Sequence, residues 1–311
     1  MPKYLTTRRI FLATGTALLA LAASALPALA MPGDLYVANI RNNTIVRITP
    51  GGAASVFAST GLGNPLGLVF DASGNLYAAN QGNSTIERFT PGGAASVFAN
   101  TGLNGPTGLA FDASGNLYAA NAGNNTIERF TPGGAASVFA STGLNNPRGL
   151  AFDASGNLYA ANAGNNTIER FTTGGIASVF ASTGLNFPFG LAFDASGNLY
   201  AANVNTSTIE RFTPGGIASV FASTGLIFPF GLAFDASGNL YAANIGNNTI
   251  ERFTPGGIPS VFANTGLDYP TVLAFEPAIA PPPSAVPEPA SAALLALGLG
   301  WLGALRRRRT A

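Results

Sequence analysis

The middle of the chain alternates short apolar runs with polar clusters at a fixed rhythm. Phe70-Asp71-Ala72-Ser73-Gly74-Asn75-Leu76-Tyr77-Ala78-Ala79-Asn80 recurs from Phe111, Phe152, Phe193 and Phe234, 41 residues apart each time. A sixth Leu-Tyr pair, Leu35-Tyr36, lies 41 residues before Leu76 but lacks the segment that should precede it. That segment sits at the other end, as Pro270-Thr271-Val272-Leu273-Ala274-Phe275. The repeat region is therefore 31–277, 247 residues, within one residue of six periods. Each unit holds four runs rich in Val, Ile, Phe, Tyr and Thr, parted by Gly, Pro, Asn, Asp and Ser, which predicts four short strands and tight turns. In the second unit the strands are expected over 67–71, 76–80, 85–90 and 94–99.

Four antiparallel strands per ~40 residues, repeated radially, make a blade of a β-propeller, and repeated units bury together the faces that none buries alone. The expected fold is all-β: a six-bladed β-propeller of four-stranded antiparallel blades. The displaced half-repeat predicts how the ring closes, with the C-terminal strand pairing into blade 1 as its innermost strand. An open arrangement would leave raw strand edges at both ends. Pro259 replaces the Ala of positions 54, 95, 136, 177 and 218. Proline is tolerated on an edge strand, so the fourth strand of a unit is read as the outer edge.

The copies differ in two places that the up-and-down topology brings to one face. One is the linker between units, around Gly63-Asn64-Pro65-Leu66 and its equivalents. The other is the loop between the second and third strands, at Ile40, Gln81, Ala122, Ala163, Val204 and Ile245, with Arg41 and Asn205 nearby. Individual loops on a rigid scaffold are where binding usually resides. Phe187, Phe189, Phe228, Phe230 and Tyr269 come from three successive linkers; Asn104, Asn145, Asn146, Asn186 and Arg148 come from the neighbouring side. Such a set can hold a sugar or a peptide by stacking and hydrogen bonding. It can equally pack the linkers or plug the channel mouth.

Composition removes whole classes of chemistry. The chain has neither His nor Cys, which excludes a Ser–His–Asp triad, His- or Cys-ligated metal, disulfides and thiol nucleophiles. Residues 31–277 carry 8 Arg against 13 acids, so the repeat body is mildly acidic. Nucleic-acid binding needs a positive footprint and is not expected. Asp71 and its equivalents Asp112, Asp153, Asp194 and Asp235 precede a tight turn and are expected to accept backbone N–H bonds, with calcium ligation as the alternative. The Asn at 39, 80, 121, 162, 203 and 244 is expected to cap loop backbone. The adjacent Glu-Arg pairs, such as Glu87-Arg88, face opposite sides of their strand and are expected to bridge blades.

Pro106-Thr107-Gly108-Leu109-Ala110-Phe111-Asp112, Gly115-Asn116-Leu117-Tyr118-Ala119-Ala120-Asn121 and Asn125-Thr126-Ile127-Glu128-Arg129-Phe130 together resemble the NHL repeat. That resemblance implies a six-bladed propeller, related to the gluconolactonase group. The NHL pattern carries Asp where this chain carries Asn80 and its equivalents. Two functions follow. The first is a non-enzymatic binding or scaffold module with no cofactor. The alternative, implied by the gluconolactonase likeness, is a metal-dependent lactonase-like hydrolase using calcium, for which Asp268 is the one carboxylate unique to a linker, with Asn145, Asn146 and Asn186 as further oxygen donors.

Both ends read as addresses. Residues 1–30 combine a basic start, an apolar stretch and the Ala28-Leu29-Ala30 cleavage pattern, an export signal peptide. Arg8 and Arg9 within Thr7-Arg8-Arg9-Ile10-Phe11-Leu12 resemble a twin-arginine motif. At the other end, 278–289 is a Pro-rich linker ending in Val286-Pro287-Glu288-Pro289. Residues 290–311 hold an apolar run, marginally long enough to span a membrane as a helix, and then Arg306, Arg307, Arg308 and Arg309. This order resembles the PEP-CTERM sorting tail. It implies transient insertion in the inner membrane facing the periplasm, processing by an exosortase after passage through the export machinery, and release to the cell surface or extracellular matrix. Exopolysaccharide or surface proteins are then the expected partners.

Overall fold

The computed structural model describes residues 33–277, and every regular element in them is a strand. The export signal and the sorting tail lie outside the described residues. In blade 2 the strands are β4 (Pro65–Phe70), β5 (Leu76–Asn80), β6 (Thr85–Phe89) and β7 (Ala95–Ala99), hydrogen-bonded in that order. This pattern repeats from Pro106 to Ala263. Blade 1 holds β1 (Leu35–Asn39), β2 (Thr44–Ile48) and β3 (Ala54–Ala58), and its inner strand is β24 (Pro270–Phe275).

The ring closes as the displaced half-repeat predicts. Leu35 pairs with Phe275, Tyr36 with Ala274 and Val37 with Leu273, antiparallel. Asn39 completes the seam: its amide donates to the Gly266 carbonyl at 3.0 Å and its Oδ1 accepts from the Asp268 N–H at 3.1 Å. The expected strand bounds shift slightly. The inner strand starts at Pro65 because Pro65 faces Asn80 across a register shift. It ends before Asp71 because that backbone turns to bond Asn75.

The core lies between blades rather than within them. One cluster joins Ala110, Tyr118, Ala120 and Ile127 of blade 3 to Leu150, Leu158, Ala160 and Phe171 of blade 4. Equivalent clusters fill the other interfaces, including the seam, where Leu35 and Val37 meet Tyr241 and Ala243. The second strand is buried along its whole length because it is sandwiched on both faces. Its Tyr is held edge-on by two rings: Tyr77 meets Phe98 of its own blade at 5.0 Å and Phe111 of the next at 5.1 Å. Such pairs contribute roughly 0.5–1.5 kcal/mol beyond their buried area. Pro259 sits on outermost β23 (Pro259–Ala263), as an edge requires.

The turn at the end of the inner strand is built by its Asp. Asp112 Oδ1 accepts from the Ser114 and Asn116 N–H groups, each at 2.9 Å, and Oδ2 accepts from the Asn116 amide at 2.8 Å. Burial alone would raise the Asp112 carboxyl, but these hydrogen bonds outweigh it and hold the pKa below the usual value. The expected inter-blade Glu–Arg bridges do not form. Among the described residues the one ion pair is Arg47 with Asp34, at 3.5 Å. The Glu of each pair instead tucks under the linker glycine, where a Cβ on Gly102 would come within 3.0 Å of Glu128.

Candidate functional site: the variable loop face

The variable face is assembled by a latch between neighbouring blades. The loop after β1 offers Asn43 Oδ1 to the N–H of Asn64, in the linker entering the next blade, at 2.7 Å. Ser84 takes Gly105, Asn125 takes Asn146, Asn166 takes Phe187, Ser207 takes Phe228 and Asn248 takes Tyr269 in the same way. Behind it, Asn80 and its equivalents are buried and bond their own linker; Asn80 donates to the Gly61 carbonyl at 2.8 Å and accepts from the Gly63 N–H at 3.1 Å. The linkers are therefore held rigidly by backbone contacts, and their side chains are left to vary.

The latched linker residue has a left-handed backbone in every copy. Asn64, Gly105 and Asn146 suit that region, with φ of 49°, 56° and 51°. Phe187, Phe228 and Tyr269 occupy it with φ of 53°, 49° and 56°. A left-handed conformation costs a residue with a bulky side chain roughly 1–2 kcal/mol. Three consecutive linkers thus hold aromatics where the backbone favours Gly or Asn.

One residue beyond each of these lies the proline, and the residue after it starts down the channel wall. That ring is Leu66, Thr107, Arg148, Phe189, Phe230 and Thr271. Leu66, Phe189 and Val204 form a buried cluster, with Ile40, Phe187, Phe230 and Val272 packed around it. The Phe189 and Phe230 rings lie 4.4 Å apart. Thr107 and Thr271 are buried and donate to the next blade, to the carbonyls of Pro147 at 2.9 Å and Pro65 at 3.1 Å. The mouth of the channel is thereby plugged. Below it the inner strands crowd so closely that a Cβ on Gly149 would overlap the Phe189 carbonyl. Five glycines and Val272 line that level, around a cavity of about 70 Å³.

The aromatics named from the sequence divide accordingly. Phe189 is 3% exposed and belongs to the plug. Phe187 and Phe230 are half-buried. Phe228 is 50% and Tyr269 42% exposed, both on the rim. Arg148 lies 5.5 Å from the Phe189 ring centre and 6.0 Å from that of Phe187. Its Nε is buried without a hydrogen-bond partner, and burial lowers its pKa. Arg41 lies over Tyr269 at 5.3 Å. The amides are rim groups: Asn104 and Asn145 fold over the backbones of Gly123 and Gly164, and Asn186 accepts from Asn205 at 3.1 Å. Asn146 is held by its latch. Asp268 lies by a separate surface hollow lined by Asn42, Thr44 and Ser55. Among the described residues no three Asp, Glu, His or Cys side chains gather as a metal site.

A model of the virginiamycin B lyase family matches residues 22–263, most of the chain and nearly all of its ring. The chain belongs to that family. A second model, the PEP-CTERM protein-sorting motif, matches residues 285–309. This establishes the sorting tail and implies export and membrane-associated sorting. No curated protein matches. Among solved structures, a chain of a nidogen/laminin complex is similar at 24% identity and a TM-score of 0.71, covering 78% of this chain and 98% of that one. Virginiamycin B lyase from Staphylococcus aureus is similar at 19% identity and a TM-score of 0.63, covering 80% and 87%. A catalytically inactive variant of that lyase, with one histidine changed to alanine and solved with quinupristin, is similar at 18% identity and 0.61, covering 79% and 92%. At these identities the likeness extends to the fold alone. No helix among the described residues is long and apolar enough to cross a membrane.

Proposed function

We propose that this family member is an exported, surface-sorted, non-enzymatic binding or scaffold protein that holds an extracellular polymer on its variable loop face. The observation that carries this reading is the strained aromatic rim. Phe187, Phe228 and Tyr269 sit in backbone conformations that cost stability, on the one face where the copies are individual, and two of the three rings are open to solvent. Strain that the rest of the fold sustains is a pointer to function. The lyase likeness does not carry activity across. The inactive relative lacks a single histidine, and this chain has no histidine.

The sorting tail supports the location. With Arg8 and Arg9 as a twin-arginine export signal, the ring folds before it crosses the inner membrane. The tail then anchors it facing the periplasm until an exosortase cuts near Val286-Pro287-Glu288-Pro289 and the protein enters the surface matrix. Exopolysaccharide or a surface protein is the partner within reach there.

Replacing Phe228 and Tyr269 by Asn tests the reading, because Asn suits the left-handed backbone. The double variant should melt a few degrees higher, since each relieved position contributes about 1 kcal/mol, and should lose retention on immobilised extracellular polymer from the producing cells. Retention equal to the wild type would remove the rim from any role in binding.

A further inference from the structure

Eight arginines lie in the repeat body, and six of them, Arg47, Arg88, Arg129, Arg170, Arg211 and Arg252, are one repeated position on the third strand. The two that break the repeat are Arg41 and Arg148. Both lie on the variable face, and each stands over a non-repeated aromatic ring. Among the described residues neither forms an ion pair with a carboxylate. The acids are elsewhere: five Asp are committed to the turns of the opposite face, and the Glu series lies under the linkers. A body with more acids than bases therefore presents, on its individual face, two cations and the single carboxylate of Asp268. A guanidinium stacked on rings keeps its in-plane N–H donors directed at whatever approaches edge-on, and carboxylate is the group it fits best, by two parallel hydrogen bonds.

We propose that the polymer bound on this face is an acidic polysaccharide of the polyuronate kind, with a sugar carboxylate taken by Arg148 and a second one by Arg41. This rests on the binding reading above and adds the ligand's chemistry. Carbohydrate fits better than an acidic peptide for three reasons. The exposed rings of Phe228 and Tyr269, the second with Arg41 over one face, suit the flat C–H face of a sugar. The rim amides of Asn104, Asn145 and Asn186 donate and accept, as hydroxyls require. The channel mouth is plugged and leaves no deep socket for a peptide side chain, while the strand edges lie on the blades' outer rim, away from this face.

The test compares three probes on the purified protein by calorimetry: oligogalacturonate, the matched neutral galactose oligomer and poly-glutamate. Oligogalacturonate should bind at least tenfold more tightly than the neutral oligomer. Arg148→Met should weaken it at least tenfold and Arg41→Gln several-fold, and each should weaken the neutral oligomer by a clearly smaller factor. Arg148→Met should melt no lower than the wild type, because it removes a buried nitrogen that has no partner. A lower melting temperature with unchanged affinity would make Arg148 a packing residue and overturn the proposal. Arg41→Gln keeps the test open if Arg148→Met does not fold, since Arg41 is exposed. Equal binding of acidic and neutral oligomers, both lost in Phe228→Ala, would overturn the acidic assignment and leave the binding face standing. Binding of poly-glutamate alone, dependent on Arg148, would overturn the carbohydrate assignment. If no probe binds and the rim variants still lose the cells' own polymer, this inference fails and the binding reading survives.

Discussion

At the scale of single residues, the seam departs from the other blades in a way that sets a pH dependence. In five turns an Asp accepts from the amide of an Asn four residues on, as Asp71 does from Asn75 at 2.8 Å. At the seam the same two positions are Glu276 and Asp34, supplied by opposite ends of the ring and joined by backbone at 2.9 Å. Both are acids, and both are buried, at 6% and 3% exposure. Burial pushes the Glu276 carboxyl up to about 7; the charge of Asp34 adds to this and that of Arg47 opposes it. One Glu276 oxygen is buried without a hydrogen-bond partner. A folded-state pKa above the usual value means that the proton stabilises the fold. The contribution is complete below the ordinary value of 4.5 and is lost as pH rises through about 7. Glu276→Gln keeps the neutral form and supplies a donor to Asp34. The wild type should therefore lose on the order of 1–3 kcal/mol relative to this variant between pH 5 and pH 8, read as diverging melting temperatures. Parallel curves would remove Glu276 as the titrating group. The repeat in the sequence located this seam. The acid pair was not legible there, because its members lie 242 residues apart and matter only once β24 has docked.

At the scale of elements, the strands, turns and closure were readable because each is dictated locally: period 41, turn residues at fixed offsets, and a proline that only an edge accepts. The division of the variable face was not. Phe187 and Phe189 flank one proline and look alike as text, yet Phe187 sits half-buried on a left-handed linker at the margin of the plug and Phe189 is buried within it. What separates them is the latch from the preceding blade, a contact over 21 residues between Asn166 and Phe187. A signal did exist, in the Asn or Ser that precedes Thr in every such loop, but its partner could be named only from the packed ring. The inner strands have a second such constraint. Gly149 faces the Phe189 carbonyl with no room for a methyl group. Gly149→Ala must push adjacent inner strands apart and should lower stability by roughly 1–3 kcal/mol, as overpacking of cores does. An unchanged denaturation midpoint would show that the channel wall yields freely.

At the scale of the whole molecule, the protein is a closed ring with one uniform face and one individual face, and its PEP-CTERM motif implies export and membrane-associated sorting. The six inter-blade cores make the ring a single rigid frame. The frame sustains the strained rim, and the rim carries the account of function. Hydrogen–deuterium exchange of the purified protein, with and without the extracellular polymer of the producing cells, maps the bound face most directly. The account predicts added protection in the linkers at 186–189, 227–230 and 268–271, and none in the turns at 71–75 and their equivalents. Protection of those turns, or of the outer strands in place of the linkers, would contradict it.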